Sequence, residues 1–130
     1  MKSETKEWVK FSEENLLSAK ILVQSLLFNP CLQNIQQSVE KALKSIVVEK
    51  SIRFIKTHSL NELKNYLQSN SISIDISDEE CDFLDTIYIP SKYPLGGALP
   101  DFNPDEEICQ TYIKVAERIL DSVKYLLNNH

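Results

Sequence analysis

Apolar residues recur along this chain at three- and four-residue steps, the period of one face of an α-helix. Trp8, Phe11, Asn15, Ala19, Leu22 and Leu26, widened by Leu16 and Val23, predict a first helix over about Glu4–Phe28. Asn29-Pro30 is expected to end it, because a proline ring pushes the residue before it out of the α region. Leu32, Ile35, Val39, Leu43, Ile46 and Val47 carry the period into a second helix, about Cys31–Ile55, whose outer face holds Gln33, Gln36, Gln37, Glu40, Lys41 and Lys44. Ser59 and Glu62 have capping-box spacing ahead of a short third helix bearing Leu60, Leu63 and Leu67, with Thr57 as the competing cap. Ser77 and Glu80 repeat that spacing ahead of a fourth helix running to about Tyr88, with Cys81, Leu84 and Tyr88 inward. Asn103 is expected to cap a long last helix with Pro104 at its first position. Asp105, Glu106 and Glu107 suit the positive end of its dipole, and Ile108, Tyr112, Val115, Ile119, Val123 and Leu126 share one face.

Two stretches break the period. Ser71-Ile72-Ser73-Ile74 alternates like a strand, but no second strand is available to pair with it, so residues 69–76 read as an extended loop whose isoleucines plug onto the helices. Four of the five prolines and both glycines fall between Pro90 and Pro104, which predicts one long loop over about 89–103. The expected fold is all-α, an up-and-down bundle of four to five helices forming a single domain over residues 1–130.

Composition narrows the function. At 130 residues the chain is long enough to bury a core without a metal or a disulfide. No apolar run reaches the ~20 residues of a membrane span, and the charged start lacks the apolar core of a secretory leader, so the expected compartment is the cytoplasm. Cys31, Cys81 and Cys109 are isolated and form no CxxC pair; they are expected to be reduced, buried small hydrophobes, and no metal site or cofactor is expected. Gly96 and Gly97 alone cannot write a P-loop or a dinucleotide fingerprint.

The net charge of −5 hides an asymmetry: residues 1–68 carry ten bases against seven acids, residues 69–130 four bases against twelve acids. So acidic a chain is a poor general nucleic-acid binder, because phosphate contacts supply most of that affinity. A local basic face still suits a nucleotide or an acidic partner. The pairs Glu79-Glu80 and Glu106-Glu107 sit in first helical turns, where the dipole explains them without chemistry. Of two histidines, His130 is the last residue, which leaves His58 as the acid–base candidate, beside Thr57 and among Arg53, Lys56 and Lys64.

Three segments remain: Gln36-Gln37-Ser38-Val39-Glu40-Lys41-Ala42-Leu43-Lys44, Lys56-Thr57-His58-Ser59-Leu60, and Tyr88-Ile89-Pro90-Ser91-Lys92-Tyr93-Pro94. In this order and spacing they resemble the HEPN domain family, whose pattern holds a QQ-x-x-EK-x-x-K helix, a T-H-D-L and a Y-x-x-x-R-Y-P, with an N-terminal aromatic matched by Trp8. Ser59 stands where the family has Asp, and Lys92 where it has Arg. The resemblance implies a four- or five-helix bundle, often a homodimer, that works as a nucleotide-binding or partner-binding module beside a minimal nucleotidyltransferase in a two-component or toxin–antitoxin system. Carried onto this sequence, the implied contacts are Gln37, Lys41, Lys44, Thr57, His58, Lys92 and Tyr93. The helix start near His58 is expected to add backbone donors for an anion. A different set of family members are metal-independent RNases with an Arg four to six residues before a His, a spacing that Arg53 and His58 match; RNA is a ligand only under that alternative. A third alternative is a purely structural dimeric subunit.

Overall fold

The computed structural model of the chain describes residues 1–92 and 103–128. They form five helices, α1 (Ser3–Gln24), α2 (Phe28–Glu49), α3 (Leu60–Ser69), α4 (Asp78–Lys92) and α5 (Glu106–Asn128), and no strand. The expected all-α bundle is therefore what the sequence builds. Helix α2 is its axis, packed against all four others, and α1 and α2 share the longest seam. No helix is long and apolar enough to cross a membrane among the described residues.

Helix α1 buries a different face from the one its largest residues mark. Thr5, Val9, Ser12, Leu16, Ala19 and Val23 are buried, at strict four- and three-residue steps. Trp8 is only half-buried, and Phe11 and Leu26 are exposed. The seam selects small residues because α2 approaches closely. The Ser12 hydroxyl donates to the Ser38 carbonyl at 2.6 Å, and the Ser38 hydroxyl donates back to the Ser12 carbonyl at 2.9 Å. Bulky rings at these positions would hold the helices apart, so they lie on its flanks. At one end of the pair, Glu49 Oε1 accepts from both the Lys2 N–H and the Thr5 hydroxyl, each at 2.9 Å. The inner side of α2, with Leu32, Ile35, Leu43 and Ile46 wholly buried, meets Leu60, Leu63 and Leu67 of α3, Cys81 and Leu84 of α4 and Ile119 and Val123 of α5 in one core.

Several boundaries differ from expectation for one physical reason, that these helices end without glycine. Helix α1 stops at Gln24, not at Asn29-Pro30, because Leu26 turns into the left-handed region (φ 60°) and Leu27 N–H bonds Leu22 carbonyl at 2.9 Å. That is the six-to-one bond of a Schellman ending. Asn29 and Pro30 instead lie in the first turn of α2, where a missing N–H costs nothing. Helix α2 ends at Glu49 rather than Ile55, with Ser51 left-handed (φ 56°), and Ile52 and Ile55 pack from a loop. Ser71 (φ 64°) closes α3 likewise, with Ile72 N–H on the Leu67 carbonyl at 2.9 Å.

At helix starts the capping signals hold. Ser59 accepts from Glu62 N–H at 3.2 Å, while Thr57 accepts from Ser59 N–H and caps nothing. Ser77 and Glu80 form the full reciprocal box at 2.9 and 3.1 Å. Helix α5 is the exception: its cap is Asp105, which accepts from Ile108 N–H at 2.9 Å, so Asn103 and Pro104 precede the helix. Helix α4 continues past Tyr88 to Lys92, which removes the first four residues from the expected 89–103 loop; 93–102 lie outside the described residues. Ile76 of the 69–76 segment is buried and Ile72 and Ile74 half-buried, as expected of plugs. All three cysteines are free and buried. Burial pushes the Cys31 and Cys81 thiols up to about 12.

Candidate functional site

The outer side of α2 meets the 50–59 loop over a polar junction. Glu40 leans into it, its side chain only 4% exposed. Three groups converge on its carboxylate. Lys44 Nζ, one turn on and itself buried, lies 2.8 Å from Oε2. Gln36 Nε2, one turn back, donates to Oε1 at 3.1 Å and also reaches the His58 carbonyl at 3.3 Å. His58 Nδ1 lies 3.2 and 3.1 Å from the two oxygens. The imidazole is stacked on Tyr88 of α4 at 4.6 Å between centroids, and its side chain is still 48% exposed. Gln37 Nε2 extends the network by donating to Gln36 Oε1 at 2.7 Å.

Lysines and rings continue the junction toward α1. Lys41 Nζ donates to Asn15 Oδ1 at 2.8 Å and stands 5.8 Å from the centroid of the exposed Phe11 ring. Lys44 Nζ stands 5.8 Å from the Phe54 ring, which lies 5.8 Å from Trp8. Four rings, Phe11, Trp8, Phe54 and His58, therefore border two lysines on one side of the bundle, and ammonium groups over ring faces are a favourable pairing.

Of the expected contacts, α2 and the 50–59 loop bring Gln37, Lys41, Lys44 and His58 together. Lys44 is not a free surface cation: it is buried in an ion pair with Glu40. Thr57 is half-buried with its hydroxyl committed to Ser59 N–H. Lys92 is the last residue of α4, and Tyr93 lies outside the described residues. Arg53 is exposed on the loop that carries His58, and its carbonyl accepts from Tyr66 Oη.

The expected anion cradle at the start of α3 is already filled. Asp85 of α4 accepts from Leu60 N–H at 2.6 Å, Asn61 N–H at 3.3 Å, the Ser59 hydroxyl at 2.9 Å and Asn61 Nδ2 at 3.1 Å. A carboxylate of the chain itself answers the helix dipole there, and no ligand is needed. Sequence spacing did not reveal Asp85, which stands 26 residues beyond Ser59. Glu40 was visible only as an outer-face acid; its burial follows from the loop that crosses over it.

A groove of about 370 Å³ lies between α3, residues 73–77 and α5. Its bases are spent on internal pairs: Lys64 on Asp78 at 2.9 Å, and Arg118 on Glu80 at 2.6 Å and on the Asp75 carbonyl at 3.1 Å. It offers an incoming anion no uncommitted cation.

The architecture has solved counterparts. The chain superposes on the archaeal HEPN homologue ST0689 with a TM-score of 0.72 at 25% identity, covering 98% of this chain and 99% of the other. On TT1696 from Thermus thermophilus the TM-score is 0.76 at 22% identity, over 95% and 98%, a likeness of fold. No curated protein matches the chain. The HEPN domain model spans residues 5–126, nearly the whole bundle, and the chain therefore belongs to the HEPN domain family.

Proposed function

We propose that this HEPN protein is a nucleotide-binding module whose ligand lies on the face bordered by Phe11, Lys41, Phe54 and His58. One observation carries the reading: the exposed Phe11 and Phe54 rings and a half-exposed imidazole border the Lys41 ammonium and the buried Lys44–Glu40 ion pair. An exposed ring stacks on a base, an ammonium meets a phosphate, and Gln37 and His58 supply hydrogen bonds to base or ribose. Lys92 and Tyr93, at and just beyond the end of α4, complete the set implied by the family pattern. Lys44 lies beneath, paired with Glu40.

The same reading makes a homodimer working beside a minimal nucleotidyltransferase, in a two-component or toxin–antitoxin arrangement, the expected setting. Calorimetry with ATP and other nucleotides tests the site. Binding is expected to weaken with added salt. It is expected to weaken by about fivefold in each of Lys41→Ala and Lys92→Ala, on the order of 1 kcal/mol for a partly exposed charge-assisted contact. Binding indifferent to both substitutions sinks the assignment. RNA cleavage without metal that is abolished by both Arg53→Ala and His58→Ala would instead establish the RNase alternative.

A further inference from the structure

Glu40 holds the key to which atom of His58 the face presents. Its carboxylate is fixed from three directions, by Lys44 Nζ at 2.8 Å, Gln36 Nε2 at 3.1 Å and His58 Nδ1 at 3.1 Å. An ionised carboxylate only accepts hydrogen bonds. Lys44 Nζ and Gln36 Nε2 both donate to this carboxylate, which serves as the acceptor of the junction, so the group facing it must donate. His58 Nδ1 therefore carries the proton. A neutral imidazole with its proton on Nδ1 leaves a lone pair on Nε2.

We infer that Glu40 is a positioning residue that locks His58 in the Nδ1–H tautomer and turns Nε2 outward as the working atom of the face. This rests on the nucleotide-site reading only for what Nε2 meets. Neutral, it accepts from a ribose hydroxyl or a base N–H; protonated, it donates to a phosphate oxygen. Among the described residues, these groups border the ring. From α2 come Glu40 and, behind it, Lys44; Gln36 binds the His58 carbonyl; Tyr88 of α4 covers one ring face. Among the described residues, the ring's hydrogen bonds are made at Nδ1 alone. The buried pair thus has a use that a bundle core alone does not require. A Glu–Lys pair costs desolvation on burial, and here its acceptor oxygens orient an exposed ring.

Long-range proton–nitrogen NMR of the ¹⁵N-labelled protein, above the pH at which imidazole titrates, reads the tautomer directly. The chain has two histidines, so His58→Asn assigns the signals. Wild type is expected to show a protonated Nδ1 and an unprotonated Nε2 for His58. The double variant Glu40→Leu/Lys44→Met, which leaves no buried charge unpaired, is expected to lose that preference while circular dichroism stays helical. An Nε2–H tautomer in wild type, or a tautomer unchanged in the folded double variant, overturns the inference. Added ATP is expected to shift the Nε2 resonance and leave Nδ1 protonated. If the tautomer is as stated but ATP moves neither nitrogen, the positioning role stands and the nucleotide reading falls.

Discussion

Two charged networks in this bundle use the same chemistry to different ends. In one, Glu40 and Lys44 are buried together and reach outward only through the half-exposed His58. In the other, Arg118 ties Glu80 of α4 and Asp75 of the preceding loop to α5, with its own side chain 40% exposed. Water screens the second network and lets it loosen and reform, so its worth is modest. Water is kept from the first, so its geometry is enforced by the cost of leaving either charge alone. The exposed pair fastens elements together, while the buried pair fixes an orientation.

The largest expected effect breaks the buried network one-sidedly. Glu40→Leu leaves Lys44 as an uncompensated buried charge and is expected to cost about 3–5 kcal/mol, read by urea unfolding. The double variant Glu40→Leu/Lys44→Met is expected to recover most of that loss. A single substitution costing no more than an exposed charge would erase the distinction between the two networks. Asp85→Ala comes next. It strips the start of α3 of the acceptor for Leu60 and Asn61 N–H and is expected to cost about 1–3 kcal/mol. Arg118→Met is expected to cost under about 1 kcal/mol, since its pairs are partly solvated.

Acid sharpens the contrast further. Partial burial, the largest influence on Glu80, pushes its carboxyl up, but the Arg118 guanidinium and the Ser77 N–H together outweigh it and hold the group below the ordinary 4.5. A depressed carboxylate stabilises the fold above its unfolded value and loses that contribution as the pH falls through its folded value. Stability should therefore drop as the pH falls below about 4.5, and Arg118→Met should flatten that part of the curve. Thermal unfolding at a series of pH values checks both, and a profile identical in the two proteins would remove Arg118 as the cause.

Helix period and capping chemistry made the five helices readable before any coordinates. Ser77 with Glu80 marks the start of α4 to the residue, and Ser59 with Glu62 marks that of α3 to within the two residues that separate it from Thr57, because a capping bond is local and chemically specific. Helix ends were less legible, since Leu26, Ser51 and Ser71 take the left-handed turn that glycine would have announced. The inward face of α1 is not the one its largest residues mark, because a close seam favours Ser12 and Ala19 over Trp8 and Phe11. At the candidate site, one helix supplied Gln37, Lys41 and Lys44 in a recognisable ridge. That Lys44 is buried and that Asp85 fills the α3 start depend on which elements cross. Spacing along the chain carries no record of either.

The crossed serine bonds of α1 and α2 also settle a problem of indexing. Two helices that meet through evenly spaced small and apolar residues fit almost as well after sliding by a repeat, because greasy contacts are nearly indifferent to translation along the axis. A hydroxyl that must find one carbonyl is not. Ser12 and Ser38 each donate to the other's backbone, so a slide in either direction breaks both bonds inside a dry seam. The pair works as a detent: it admits one longitudinal position. In that position Glu49 comes level with Lys2 and Thr5, Asn34 level with Asn15, and Lys41 beside Phe11. The placement of the lysine-and-ring face is thus set from within the bundle, by two of its smallest polar side chains.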